Sequence, residues 1–466
     1  MRRGALLILL GLSALAGAAR AQEDLESILE GFEDSEPPPP SAAPAPPAAA
    51  RRWDLSGALQ LGGSHAYAHR KPPPGRPDYR GWPSLRAELS LQFDLKLGGS
   101  WQARVAGRGF RDYFYAIEGR ETFPRGVLER HQRELEFQEL WIRGSPRPDI
   151  DLQFGRQVLS WGRSDNLRVL DLLNPIDSRE PGLVDVEDLK LPLTMTRLDW
   201  YRGAWSLTAV AIHESRFDTG PVPGSEFWPA GVPALPERRP SNGGRDTEYA
   251  LRARGIFPGW DLSLHWARFF DDPVHVRERR PDPSADGEAS VPAVSLESAH
   301  ARLTLWGVSG QVARGNWLLK GELAYLRGLR FFEPRPRRRS RVDAMLGVEY
   351  SGFEDTMIAL ELVNRRLGGF DRRLETEPVF VRRDTLEASL LVTRDFLHDT
   401  LHATLVGLAF GSRARDGAIL RAQLEYDLRD ALAVTFGVVL FRKGDLPPFS
   451  FLHRHDRLFL RLKYSF

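Results

Sequence analysis

The chain contains no cysteine, which excludes disulfides, thiolate metal sites and a lipid anchor attached through a cysteine behind a leader. Beyond the apolar run Ala5 to Ala16, no stretch approaches the roughly 18 consecutive apolar residues that a membrane-crossing helix needs. Neither sign of charge dominates, with 64 Lys and Arg against 62 Asp and Glu, so the sequence carries no basic face for DNA or RNA. No His-Glu-x-x-His occurs, Ser160 lacks a Gly-x-Ser-x-Gly elbow, and the 11 histidines are scattered. His453 and His455 could share a strand face, but no third ligand is evident. The expectation is a protein without cofactor, metal or catalytic site, an outer-membrane enzyme being the minor alternative.

What is present begins with a secretory leader. Arg2 and Arg3 precede the apolar run, and Ala19-Arg20-Ala21 forms a small-residue cleavage site, assigning residues 1–21 to a signal peptide. Residues 22–50 read as a periplasmic segment and tether. Leu25, Ile28, Leu29 and Phe32 fall on one face of a short amphipathic helix, and Pro37 to Ala50 is a Pro/Ala tract that cannot bury a core. A helix this short is marginal alone, so the segment either docks on a partner or on the mouth of the following domain, or stays disordered.

Mean hydropathy of -0.35 alone suggests a soluble chain, but strands that alternate apolar with polar residues hide their membrane face from such averages. From Trp53 onward this alternation recurs. Leu85, Ala87, Leu89, Leu91, Phe93 and Leu95 oppose Arg86, Glu88, Ser90, Gln92 and Asp94, and Leu458, Leu460, Leu462, Tyr464 and Phe466 oppose Arg461, Lys463 and Ser465. Connections are by turns short, as at Gly98-Gly99-Ser100 and Pro258-Gly259, and long, as from Gly162 to Leu193 and from Asp271 to Ser298. The expected fold for residues 51–466 is therefore all-β, a transmembrane antiparallel up-and-down barrel of about 18 strands, about 16 being the alternative. An even count places both termini on the short-turn, periplasmic rim of a Gram-negative outer membrane. Trp101, Trp205, Trp260 and Trp317 begin strands after short turns, while Trp200, Tyr201 and Tyr350 end strands before them, outlining an aromatic girdle.

A barrel of this size predicts a wide polar lumen. The pleat assigns to it Arg86, Glu88, Asp94, Arg104, Arg108, Arg252, Arg254, Lys320, Glu322, Asp343, Glu349, Glu361, Arg421, Glu425 and Arg461. Any one of these could simply brace its neighbours across strands. The 162–193 connection has apolar and carboxylate residues without a strand period, and is the candidate plug or constriction, with Trp161, Asp165, Asp171, Asn174 and Asp177 as its marker residues and a short helix and turn around Asn174-Pro175. Tyr464 and the final Phe466 look like the terminal signal used by the barrel-assembly machinery. Outer-membrane lipid and lipopolysaccharide are expected neighbours, and Arg335, Arg337, Arg338, Arg339 and Arg341 on a long-loop rim suit lipopolysaccharide phosphates or simple solvation.

The run Gly155-Arg156-Gln157, Ser160-Trp161-Gly162, Asp165, Leu170-Asp171, Asn174-Pro175-Ile176-Asp177 and Glu187-Asp188-Leu189-Lys190-Leu191-Pro192 resembles an uncharacterised family of Gram-negative outer-membrane barrels, a domain of unknown function. The resemblance is sharpest over Leu152 to Phe227 and extends to Leu25 to Phe32. It implies a neighbourhood of resistance-nodulation-division exporters of hydrophobic or lipid-like molecules, and no catalytic role for any residue. Two functions follow as expectations: a conduit for small or amphipathic solutes, or an accessory subunit docking an inner-membrane exporter through Leu25 to Phe32.

Overall fold

The computed structural model describes residues 52–184, 189–229, 232, 234–279, 295–333, 337–376 and 379–466. The leader, the amphipathic segment and the Pro/Ala tether lie outside the described residues. The chain runs through β1 (Trp53–Ala66), β2 (Gly81–Gly98), β3 (Trp101–Asp112), β4 (Arg133–Arg147), β5 (Ile150–Gln157), β6 (Leu193–Arg202) and β7 (Trp205–Ile212). It continues with β8 (Glu237–Arg238), β9 (Glu248–Phe257), β10 (Trp260–Arg279), β11 (Ser295–Arg314), β12 (Trp317–Leu329) and β13 (Arg339–Phe353). The last six are β14 (Thr356–Gly368), β15 (Asp384–Phe396), β16 (Leu401–Phe410), β17 (Gly417–Arg429), β18 (Leu432–Arg442) and β19 (Arg457–Ser465).

β8 is a two-residue strand inside a long loop that adds in parallel to Ser298 and Ala299 of β11. The other 18 strands form a closed antiparallel barrel. β19 returns to β1 in a register running from Ala58 opposite Ser465 to Ala66 opposite Arg457. Closure gives each of these strands a partner on both sides for at least part of its length, as a membrane-spanning sheet requires. One face of the alternating pattern turns outward, where Leu59, Leu61, Leu89, Leu91, Leu319 and Leu346 stand exposed as an apolar belt. Trp101, Trp205, Trp260 and Trp317 each open a strand on the short-turn rim, and Trp317 lies 4.4 Å from Tyr350, ring centre to ring centre. Both described ends of the barrel, at β1 and β19, lie on this rim.

The barrel departs from expectation in its upper wall. β10 and β11 extend well into the span expected as loop, each to 20 residues, whereas β5 and β7 have 8 and β6 has 10. At about 3.3 Å per residue, an eight-residue strand tilted by about 35–45° rises only roughly 19–21 Å. The wall is therefore high on one side and low above β5 to β7.

Gly155 marks the tightest point of that low wall. Its φ of 128° suits glycine alone, and a Cβ there would sit 2.2 Å from the Leu140 carbonyl oxygen of β4. Gly155→Ala should cost about 1–3 kcal/mol and reduce the folded, heat-modifiable fraction of the barrel on gels, while the same change at Gly203, whose Cβ would meet nothing, should cost less.

Candidate functional site: a loop strapped across the lumen

The connection from Val158 to Pro192 leaves the low wall and turns into the barrel. Asn174, fully buried, ties its two legs together: the side-chain oxygen accepts from the Leu159 amide at 2.9 Å and the amide nitrogen donates to the Leu191 carbonyl at 2.8 Å. Leu159, Trp161, Leu167, Val169, Leu170 and Leu173 are buried against Leu193, Met195, Val210, Ile212, Leu303, Leu305, Leu326, Met345 and Val363 of the inner wall. The wall makes room for this contact. A Cβ on Gly307 would come within 2.2 Å of the Leu170 side chain. The lumen is thus not polar throughout, because a loop that buries apolar residues needs an apolar surface to bury them on.

Loop amides taken out of water still need acceptors, and two wall carboxylates provide them. Glu361 of β14 accepts from the Asp165 amide at 2.6 Å, the Asn166 amide at 3.2 Å, the Leu167 amide at 3.3 Å and the Ser164 hydroxyl at 3.0 Å. Glu322 of β12 accepts from the amides of Arg163, Ser164 and Leu170, the last at 3.1 Å. Both glutamates are almost wholly buried. Around them Lys320 bridges Asp165 at 2.8 Å and Glu349 at 3.1 Å, Arg163 pairs with Asp261, and Arg365 donates to the Arg168 carbonyl while holding Asp343 and Glu387.

The far half of the loop reaches the opposite wall. Ile176 donates to Asp218 at 2.7 Å and accepts from Thr219 at 2.9 Å, which fastens the loop to the following long connection. Arg179 is buried between Asp177 and Glu134 of β4, and Glu180 pairs with Arg86 of β2 at 2.6 Å. Burial works against the Asp177 and Glu180 carboxylates, but Arg179 and Arg86 hold both below the ordinary carboxylate range. Leu183 then enters an aromatic cluster with Phe227, Phe441, Phe449 and Phe459, and its carbonyl accepts from Arg461 as that of Val184 accepts from Arg421 at 3.0 Å. Beside that cluster Glu226 meets Arg457 and His69; burial opposes its charge, yet the Arg457 guanidinium and the hydrogen bond with His69 bring its pKa down to about 2.

The structure puts the lumen-assigned Arg86, Glu88, Arg104, Arg108, Arg252, Arg254, Asp343, Glu349, Arg421 and Arg461 on the inward face, and gives each a partner. Arg104 lies between Asp94 and Glu139, Arg108 faces Glu88, Arg254 faces Asp261, and Arg252 stands over the Trp161 ring. Arg86, Arg421 and Arg461 meet the strap and not bulk solvent. Trp161, Asp165, Asp171, Asn174 and Asp177 do come together in the loop, but as its fastenings: Asp171 pairs with Lys190, and Asp177 with Arg179. No helix forms around Asn174-Pro175 among the described residues; single bridges from Ile176 to Lys190 and from Asp177 to Thr219 take its place, because backbone partners on neighbouring segments are already in reach. The basic run divides. Arg337 and Arg338 are exposed, whereas Arg339 turns in to Glu333 and Arg341 to Asp343, and Arg335 lies outside the described residues. His455 of the histidine pair faces the Phe227 ring and bonds the Glu226 carbonyl.

Between the strap and the wall of β1 to β3 and β19 there remains a polar chamber of about 130 Å³, lined by Ser64, Arg86, Glu88, Arg108, Arg179 and Arg461 among others. Over residues 74–466 the chain matches the model of a family described as a protein of unknown function (DUF1302). No curated protein matches the chain. The fold is similar to solved Acinetobacter baumannii structures, OccAB1 at 11% identity and TM-score 0.50, covering 89% of this chain and 96% of that one, and OccAB2 at 11% and 0.50, covering 89% and 98%. Pseudomonas aeruginosa OccK2 (OpdF), solved in complex with glucuronate, aligns at 15% identity and TM-score 0.47 over 89% of this chain and 97% of that one. At such identities the likeness is one of fold, that of porin-like outer-membrane barrels.

Hydrogen bonds to a charged acceptor contribute about 1.5–3 kcal/mol each, so Glu361→Gln should raise the undocked population of the loop by roughly 10- to 100-fold. Trypsin cleavage after Arg163 and Arg168 in the reconstituted barrel measures it. Cleavage no faster than in the parent would mean that Glu361 does not hold the strap.

Proposed function

The chain belongs to the DUF1302 family, and from that premise we propose that it is an outer-membrane conduit for small or amphipathic solutes, narrowed by the strap of residues 158–192. The observation that carries this reading is the crossing of the lumen by one loop fastened to both walls. A structural plug that only filled the barrel would need no polar chamber beside it. Here a polar chamber with both signs of charge, Arg86, Arg108 and Arg461 against Glu88 and Glu180, is left beside β1 to β3. Mixed charge gives passage to polar solutes without strong selection by sign. About 130 Å³ accommodates a handful of waters, so passage of larger solutes requires the strap to yield. Its polar fastenings are the elements that would yield.

An accessory role beside an inner-membrane exporter is the second reading. What supports it is that β1 starts on the short-turn rim, the rim that this reading takes as periplasmic. Tyr464 and Phe466, stacked 6.1 Å apart and exposed at the end of β19, suit recognition by the assembly machinery, and the exposed Arg337 and Arg338 suit lipopolysaccharide phosphates.

Removal of Asp165 to Asp188 should convert small or flickering single-channel currents in planar bilayers into larger, steady ones. If neither the parent nor the shortened barrel conducts, while both are shown to be folded, the conduit reading fails. Deleting Leu25 to Phe32 should leave conductance unchanged, and loss of export with conductance intact would favour the accessory reading.

A further inference from the structure

The low wall above β5 to β7 leaves β4 with an unusual edge. β4 pairs with β3 along almost its whole length, from Arg133 to Arg143, but with β5 only from Leu140 downward. Its upper part, Arg133 to Gln138, therefore has a strand on one side only. The outward residues of that part are Arg133, exposed at its upper end, Leu135, 89% exposed, and Phe137, 59% exposed, so the apolar belt continues along it as far as Leu135. A bare strand edge does not persist in hydrocarbon unless it faces protein or a water-filled cavity. Here a chamber of about 420 Å³ lies against this edge, lined by Glu134, Leu135 and Glu136 of β4 and by Arg216, Asp218 and Val222 of the following long connection.

The chamber touches the outward Leu135 as well as the inward Glu134 and Glu136, so it lies against both faces of this edge. In place of the missing strand, Arg156 donates from Nε to the Phe137 carbonyl at 2.9 Å and pairs with Glu136 and Glu214. Arg130 lines both this chamber and the smaller lumenal one. Among the described residues no carboxylate lies within ion-pairing distance of its guanidinium, whereas Arg216, Arg239 and Arg179 are all paired.

We propose that the gap beside Arg133 to Gln138 is a lateral portal between the outer leaflet and the lumen, through which an anionic amphiphile passes with its tail along Leu135 and Phe137 and its head group towards Arg130. This rests on the conduit reading and gives its solute class and its route. The portal supplies an apolar side open to lipid, a polar floor at Arg156 and an unpaired cation where the two chambers meet; an amphiphile of one negative charge is the solute that uses all three.

The chain's lack of cysteine makes the test specific. Leu135→Cys is labelled with a bulky maleimide in proteoliposomes, with Leu346→Cys, an equally lipid-facing site on β13, as the control. The probe is a fluorescent long-chain alkyl sulfonate, its transfer from the vesicle leaflet to trapped albumin being followed beside ion conductance. The portal predicts that the label at 135 slows transfer several-fold with conductance retained, and that the label at 346 does neither. Arg130→Gln should slow the sulfonate several-fold and leave an alkyl trimethylammonium counterpart unaffected. Transfer indifferent to the label at 135, or absent from the unlabelled barrel, overturns the portal. Transfer that depends on position 135 in a barrel without conductance would overturn the conduit reading and retain the portal.

Discussion

A backbone amide withdrawn from water must find an acceptor, and in this barrel the acceptors for the inward loop are two glutamates on the wall. Glu322 and Glu361 between them receive the amides of residues 163 to 167 and of Leu170. Without such acceptors, a loop in irregular conformation at this depth would have unsatisfied donors costing about 1–3 kcal/mol each. With them, the apolar side of the same segment can lie on Leu303, Leu326 and Met345, and its far end can extend to Arg86, Arg421 and Arg461. The position of the strap, the size of the remaining chamber and the lining of the passage all depend on that arrangement. The fastenings are hydrogen bonds and ion pairs of single side chains, unlike the continuous backbone ladder of the wall.

The wall and the strap explain each other's irregularities. β6 shows this within one strand. Leu193 and Met195 face inward under the loop, while Arg197 and Asp199, on the same face lower down, line the lumen. On the outward face of β6 the order is inverted, with Thr194 and Thr196 above and Leu198 and Trp200 below. The strand therefore leaves the apolar belt early, consistent with the short rise of β5 to β7. Where the wall is low, two long connections enter the barrel side by side and fasten to each other through Ile176, Asp218 and Thr219. On the high side, the β10 and β11 hairpin continues past the belt and supports β8.

Much of the wall was legible in the sequence, because a two-residue period with alternating short and long connections leaves few folds that can satisfy it. The inward placement of Arg86, Arg104, Arg252, Asp343 and Arg461 follows from the pleat alone. Their partners do not: Glu322 and Ser164 are 158 residues apart, and no local pattern marks a lumenal glutamate as an amide acceptor. The apolar inner patch was concealed for a related reason. In β11, Leu303 and Leu305 point inward while Trp306 points to lipid, so both faces are apolar and the period gives no direction. The markers of the strap, Trp161, Asp165, Asp171, Asn174 and Asp177, were found from composition; that they fasten the loop and do not present free carboxylates to a solute depends on Lys320, Lys190 and Arg179, brought in by the tertiary fold. The unpaired edge of β4 was invisible for want of any signal in the sequence of β4 itself, since it arises from the shortness of β5.

The most direct test is hydrogen exchange of the strap amides in the barrel reconstituted in lipid, followed by mass spectrometry over residues 163 to 170. Bonding to Glu322 and Glu361 predicts slow exchange there, closer to that of the wall strands than to that of the exposed connection at Arg70 to Arg76. Exchange as fast as at Arg70 to Arg76 would show that the loop does not rest on the wall, and the account of a lumen narrowed by a fastened strap would be wrong.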